Sequence, residues 1–165
     1  MQPLVYVETT IFSFYHDDRP SPDVQAMRTW TREWWQNSRD RYELVTSLAV
    51  LEELSRGSLP HRHAAHGMAL TVPVSDADAS VLATVQVYIQ RKVMPADPLG
   101  DAMHLALASH LGCDFLLTWN CRHLANANKF GHIRRVNDEL GLRVPALVTP
   151  QQLLDDPTLE SETEV

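Results

Sequence analysis

Four positions carry side chains suited to chemistry, each just beyond a strand-like run or on the helix after it. Glu8 directly follows the apolar run Leu4 to Val7, and Asn120 follows the run that ends at Thr118. Glu52 and Glu53 lie on a helical stretch after a second strand, and Asp101 lies one turn inside a helix opened by Asp97-Pro98. Carboxylates gathered at one sheet edge repel one another unless a cation joins them. Oxygen donors without cysteine or paired histidine favour a hard ion such as Mg2+ or Mn2+. An ion held by few carboxylates keeps open positions, which suits catalysis on phosphate esters.

The elements that must position these residues follow from periodicity and punctuation. Leu4 to Val7, Leu44 to Thr46, Asp114 to Thr118 and Ala146 to Val148 read as strands. The first and third are apolar without alternation, the pattern of a parallel sheet covered on both faces. Helices are expected over Ile11 to Tyr15, Asp23 to Asn37, from Leu48 to a stop at Gly57, and over Pro60 to Met68. A capping-box pattern, Ser75-x-x-Asp78, opens another that runs to about Arg91. The Asp97-Pro98 helix, with Asp97 as cap, ends at Leu111 before Gly112, and polar helical sequence spans Asn120 to Leu140. Strands alternating with helices imply an α/β chain, a three-layer α/β/α sandwich around a mainly parallel sheet. In such sheets ligands gather beyond the carboxyl ends of the strands, where the four positions stand.

Composition sets the class. The 165 residues, 44% hydrophobic and 21% charged, match a globular chain and exclude wholesale disorder. A single domain is expected over 1–154, with a disordered acidic tail over 155–165 that holds five acids and no basic residue. No stretch approaches the roughly 20 apolar residues of a membrane span, and Met1 to Leu4 lacks a signal-peptide pattern. Cys113 and Cys121 form neither a disulfide framework nor a CxxC pair, which fits a reducing cytoplasm. The formal charge of −7 argues against a duplex-DNA coat, yet Trp119 to Asn137 contains no acid. Arg122, His123 and Lys129 in that strip are candidates for phosphate contact, and Trp119 is a candidate for stacking on bases. Trp30 and Trp34 read as core or dimer anchors. His104, three residues after Asp101, reads as a hydrogen-bonded supporting residue, and His61, His63 and His66 as a solvated loop or basic rim without a zinc ligand set.

At the carboxylate positions the sequence resembles the PIN-domain family of metal-dependent ribonucleases, which includes VapC-type toxins. The matching stretches are YVETT at 6–10, TSLAVLEELSRG at 46–57, GDAMHLALA at 100–108 and LLTWN at 116–120. The resemblance implies a sandwich around a parallel sheet, and hydrolysis of RNA phosphodiesters by metal-activated water. It matches Glu8, Glu53 and Asp101 to acids that bind Mg2+ or Mn2+, and Asn120 to a fourth acidic position. The helical wheel leaves Glu52 and Glu53 both at the border of the polar face, and the resemblance favours Glu53. Homodimerisation and inhibition by an antitoxin are further implications of the resemblance. Two departures stand out: Glu8 replaces the usual Asp, and Asn120 cannot ionise. A PIN-like module that binds RNA or a partner with little or no catalysis is the alternative, and Asn120 motivates it. An aspartyl-phosphate phosphatase is disfavoured, because Glu8-Thr9-Thr10 lacks the paired aspartates of that chemistry.

Overall fold

The computed structural model describes residues 1–57, 60–97 and 100–155. Five strands, β1 (Leu4–Val7), β2 (Glu43–Ser47), β3 (Val74–Ser75), β4 (Phe115–Leu117) and β5 (Ala146–Val148), form one sheet in the order β3-β2-β1-β4-β5. Every pairing is parallel, with Val7 of β1 opposite Leu117 of β4. Val5, Tyr6 and Val7 are consecutive and all fully buried. Successive strand residues point to opposite faces, so both faces of β1 are covered, as the unalternating apolar run implies.

The helices are α1 (Thr9–His16), α2 (Pro22–Glu33), α3 (Leu48–Ser55), α4 (Pro60–Ala69), α5 (Ala79–Gln90), α6 (Asp101–His110) and α7 (Ala127–Leu140). This is the expected α/β sandwich around a parallel sheet. The chain order reverses between β1 and β4, so the crevice beyond their carboxyl ends is the topological switch point. Glu8 stands there beside the end of β4, its amide donating to the Leu117 carbonyl at 3.1 Å.

Several element ends differ from the sequence expectation, each for a local reason. Ser75 does not open a helix; it closes β3, a strand too short to show a period. Asp78 is itself the cap of α5, accepting from the Val81 amide at 2.9 Å. The helix expected from Asp97-Pro98 begins instead at Asp101, with Gly100 rather than Asp97 as N-cap; Pro98 lies outside the described residues. Polar sequence from Asn120 forms a turn up to Asn126, whose side chain then caps α7. Helix α2 gives way to a π-helical turn, Trp34–Ser38, that buries the adjacent Trp34 and Trp35. Successive residues of a regular helix lie about 100° apart, and a wider turn lets two neighbours share the core side. Gly112 and Gly141 follow α6 and α7 with φ of +67° and +69°, the left-handed backbone that glycine enters without strain. Of the acidic tail only Asp155 is described, in an ion pair with Arg41; the rest lies outside the described residues.

A buried polar bridge joins α5, α6 and α7. The Tyr88 hydroxyl donates to Asn137 Oδ1 at 2.5 Å, and Asn137 Nδ2 donates to Ser109 Oγ at 2.9 Å. Asn137→Ala removes both bonds and leaves the buried Tyr88 hydroxyl only a long contact to Ser109 Oγ at 3.4 Å. The expected cost is about 2–3 kcal/mol, read as a lower urea midpoint with an unchanged slope.

Candidate metal centre

Glu8 ends β1 and caps α1, a position that explains both its burial and its fixed orientation. It is 3% exposed, and its hydrogen bonds converge on Oε2: from the Thr10 amide at 3.1 Å, the Thr10 hydroxyl at 2.5 Å and the Thr118 hydroxyl at 2.8 Å. Each hydroxyl also accepts a backbone amide from the turn after β4, Thr10 from Trp119 at 2.8 Å and Thr118 from Asn120 at 2.9 Å. The carboxylate is thus tied to the ends of two neighbouring strands. Burial raises its pKa, although the His104 charge and the two threonines oppose that rise.

Glu53 reaches the same crevice from α3. Its Oε2 accepts from the Thr9 hydroxyl at 2.7 Å, and its Oε1 lies 2.7 Å from His104 Nε2. Glu52, one residue earlier, is exposed and pairs loosely with Arg56 at 3.9 Å. Helix α3 turns Glu53 toward α1 and α6 and leaves Glu52 to solvent. Burial pushes the Glu53 pKa up, but the hydrogen bond and charge of His104, with the Thr9 hydroxyl, outweigh it and hold the carboxyl low.

His104 is fully buried on α6 and links Glu53 to the core. Its Nδ1 lies 2.8 Å from the Tyr6 hydroxyl, which lies 2.7 Å from Ser47 Oγ. Burial lowers the imidazole pKa, and the Glu53 hydrogen bond and charge, with the charges of Glu8 and Asp101, more than reverse this. Glu8, Glu53 and His104 each offer a ligand atom, and these lie within 4.8 Å of one another. The two carboxylates suit a hard divalent cation, and His104, engaged at both ring nitrogens by Glu53 and Tyr6, holds Glu53 in place beside them.

Asp101 and Asn120 form the adjoining part of the site. Asn120 Nδ2 donates to Asp101 Oδ1 at 2.8 Å, while its Oδ1 accepts from the amides of Arg122 at 3.2 Å and His123 at 3.0 Å. The amide is therefore used at both ends: its oxygen closes the turn and its nitrogen satisfies Asp101. Asp101 stands at the first turn of α6, three residues before His104, and lies outside the close trio. An aspartate at 120 would set two carboxylates together. Asn120→Asp is accordingly expected to lower the melting temperature in EDTA by several degrees, the scale of about 1 kcal/mol. It is expected to regain more than that on adding Mn2+, as followed by thermal melts of both proteins.

The other candidates lie in the turn after β4 and at the start of α7. Trp119 is half-buried, stacked on Trp30 at 6.0 Å, and its indole N–H donates to Thr31 Oγ1 at 2.7 Å. Arg122 is exposed, and His123 and Lys129 are half-buried. Burial lowers the Lys129 pKa, and the charge of Asp101 works against that, which sets this amine near the acidic end of α6. Sequence reasoning gives no role to Thr9, Thr10, Thr118, Tyr6 or Ser47. All five lie within the quoted motifs, so the signal is present as hydroxyls flanking the acids.

No family model matches the sequence, and no curated protein matches it. The α/β fold, with its helices packed on a parallel sheet, is similar to that of solved VapC toxins. The similar solved structures include VapC20 of Mycobacterium tuberculosis, described as a toxin that cleaves the sarcin–ricin loop. It is 16% identical with a TM-score of 0.54, over 72% of this chain and 92% of that one. Another is VapBC2 of Rickettsia felis, bound to a promoter DNA fragment, at 14% identity and a TM-score of 0.43, over 88% of this chain and 96% of that one. The likeness to VapC20 is one of fold. No helix among the described residues is long and apolar enough to cross a membrane.

Proposed function

We propose that this protein is a Mg2+- or Mn2+-dependent endoribonuclease that hydrolyses RNA phosphodiester bonds, with Glu8 and Glu53 as its central metal ligands. The observation that carries this reading is the convergence of two carboxylates and an imidazole within 4.8 Å at the switch point of a PIN-type sheet. When bound, a divalent ion supplies a lowered pKa to water and a positive field for charge that develops on phosphate.

The chain's own residues do the rest. Thr10 and Thr118 fix Glu8, and Thr9 and His104 fix Glu53, so neither carboxylate needs to reorganise. Asp101, satisfied by Asn120, extends the acidic surface along α6 and is a further ligand or water-orienting group. Arg122, His123 and Lys129 meet the phosphates of the strand, and Trp119 backed by Trp30 gives a base an aromatic surface. A toxin role, an antitoxin partner, a homodimer and a cytoplasmic setting come into this proposal from the motif resemblance and the absence of cysteine pairing.

The test is cleavage of a mixed single-stranded RNA pool by the purified chain in Mn2+, Mg2+ or EDTA, with Asp101→Asn alongside. Metal-dependent cleavage that weakens in Asp101→Asn supports the enzyme. Equal cleavage by both proteins indicates a contaminant or a site that does not include Asp101. A second reading, an RNA- or partner-binding module without catalysis, is favoured by Asn120, whose amide already occupies Asp101. Tight RNA binding with no cleavage under any metal would select it.

A further inference from the structure

A cavity of about 400 Å³ opens where α3 ends and α4 begins, lined by Ser55, Gly57, Pro60, Arg62, His63 and His66. Its described lining holds three basic side chains and no acid, which is unusual for a chain of net charge −7. His63 and His66 stand three residues apart on α4 and so share one face of that helix. Arg62 Nη1 donates to the carbonyl of Glu53 at 2.9 Å, which gives that arm of the guanidinium a structural role at the end of α3. The Nε of the same side chain is buried and has no hydrogen-bond partner. Buried donors rarely stay unpaired in folded proteins, least of all on a charged group. The side chain also lies against Gly57, where a Cβ would stand 3.2 Å from both Cδ and Nε. Glycine at 57 thus gives the guanidinium its seat.

We propose that this cavity binds a phosphate group of the RNA strand that is hydrolysed at Glu8 and Glu53; the identity of the strand rests on the function proposed above. Arginine offers paired donors that match phosphate oxygens, and His63 and His66 of the same helix add two imidazoles to the lining. Glu53 joins the two places, its carboxylate in the metal centre and its carbonyl on Arg62. One residue at the end of α3 thus touches both the acidic centre and the arginine that lines the basic cavity.

The experiment is binding of labelled single-stranded RNA to the full chain in EDTA, by anisotropy across a salt series, with inorganic phosphate titrated separately by nitrogen-15 NMR of the histidine side chains. Arg62→Gln is expected to weaken RNA binding about tenfold and to flatten the slope of log affinity against log salt by about 0.7, the value for one phosphate contact on a single strand. Should Arg62→Gln unfold, the double variant His63→Ala/His66→Ala leaves Arg62 in its seat and is expected to weaken binding several-fold. Wild-type RNA binding that a folded Arg62→Gln or the double variant leaves unchanged in affinity and slope overturns the cavity and spares the nuclease. Inorganic phosphate that shifts His63 and His66 only while Arg62 is present, in a protein that binds no RNA, keeps the phosphate cavity and overturns the strand. Binding of a polyglutamate peptide in preference to RNA, with the same dependence on Arg62, overturns the phosphate assignment.

Discussion

Replacing Glu53 by glutamine is expected to reduce metal-dependent RNA cleavage by at least about 10²-fold, the scale of removing one fixed electrostatic contact from an active site. The amide keeps the size of the side chain and can still accept from Thr9, so packing around α3 changes little. Two things are lost: an anionic ligand beside Glu8, and the charge that raises the His104 pKa. Metal affinity should fall with activity, so Mn2+ titration followed by electron paramagnetic resonance gives a readout independent of turnover. Glu52→Gln is the matched control. That residue is exposed beside Arg56, and its variant should cleave at the wild-type rate. Full activity in Glu53→Gln, or a loss of equal size in Glu52→Gln, would remove Glu53 from the centre.

The second large effect concerns stability and pH in metal-free protein. His104 is fully buried with a raised pKa, so its stabilising charge is present below its ordinary value near 6.5 and is lost as pH rises through the higher folded value. Burial of Glu8 acts in the same direction, since a raised carboxyl pKa favours the protonated form and penalises rising pH. Glu53 acts oppositely: its lowered pKa gives stability above about 4.5 that is lost as pH falls. Metal-free protein should therefore be most stable between about pH 4.5 and 6.5 and weaken toward alkaline pH. His104→Gln is expected to cost about 3 kcal/mol near pH 6. That is the low end for breaking a buried pair, because a quarter of the Glu53 side chain stays exposed. It should also flatten the alkaline decline. Urea melts from pH 4 to 9 in EDTA check both; an unchanged profile in His104→Gln would show that the imidazole is neutral throughout.

Much of this arrangement is legible in the chain itself. Unbroken apolar runs at Leu4 to Val7 and before Thr118 dictate strands buried on both faces, and hence a parallel sheet with helices on each side. Turn chemistry dictates the stop at Gly112. The positions of Glu8 and Asn120 directly after strands mark the crevice, because chain direction alone sets which strand end they occupy. The resemblance in four short motifs points to the same fold that the likeness to VapC20 shows.

Tertiary structure decided which side chains meet. Thr118 reaches Glu8 across 110 residues, and His104 reaches Glu53 across 51, so neither pairing leaves a local period in the sequence. Sequence reasoning groups Asp101 with the glutamates; in the fold α6 starts late, at Asp101, and brings His104 between Glu53 and Tyr6. Asn120 reads as a missing acid in the sequence, and its amide serves both Asp101 and the following turn in the structure. The basic cavity likewise exists only where the end of α3 meets the start of α4. Strand and helix are written in local spacing, whereas the partner of a charged side chain depends on strand order and helix packing, which no short stretch of the chain contains.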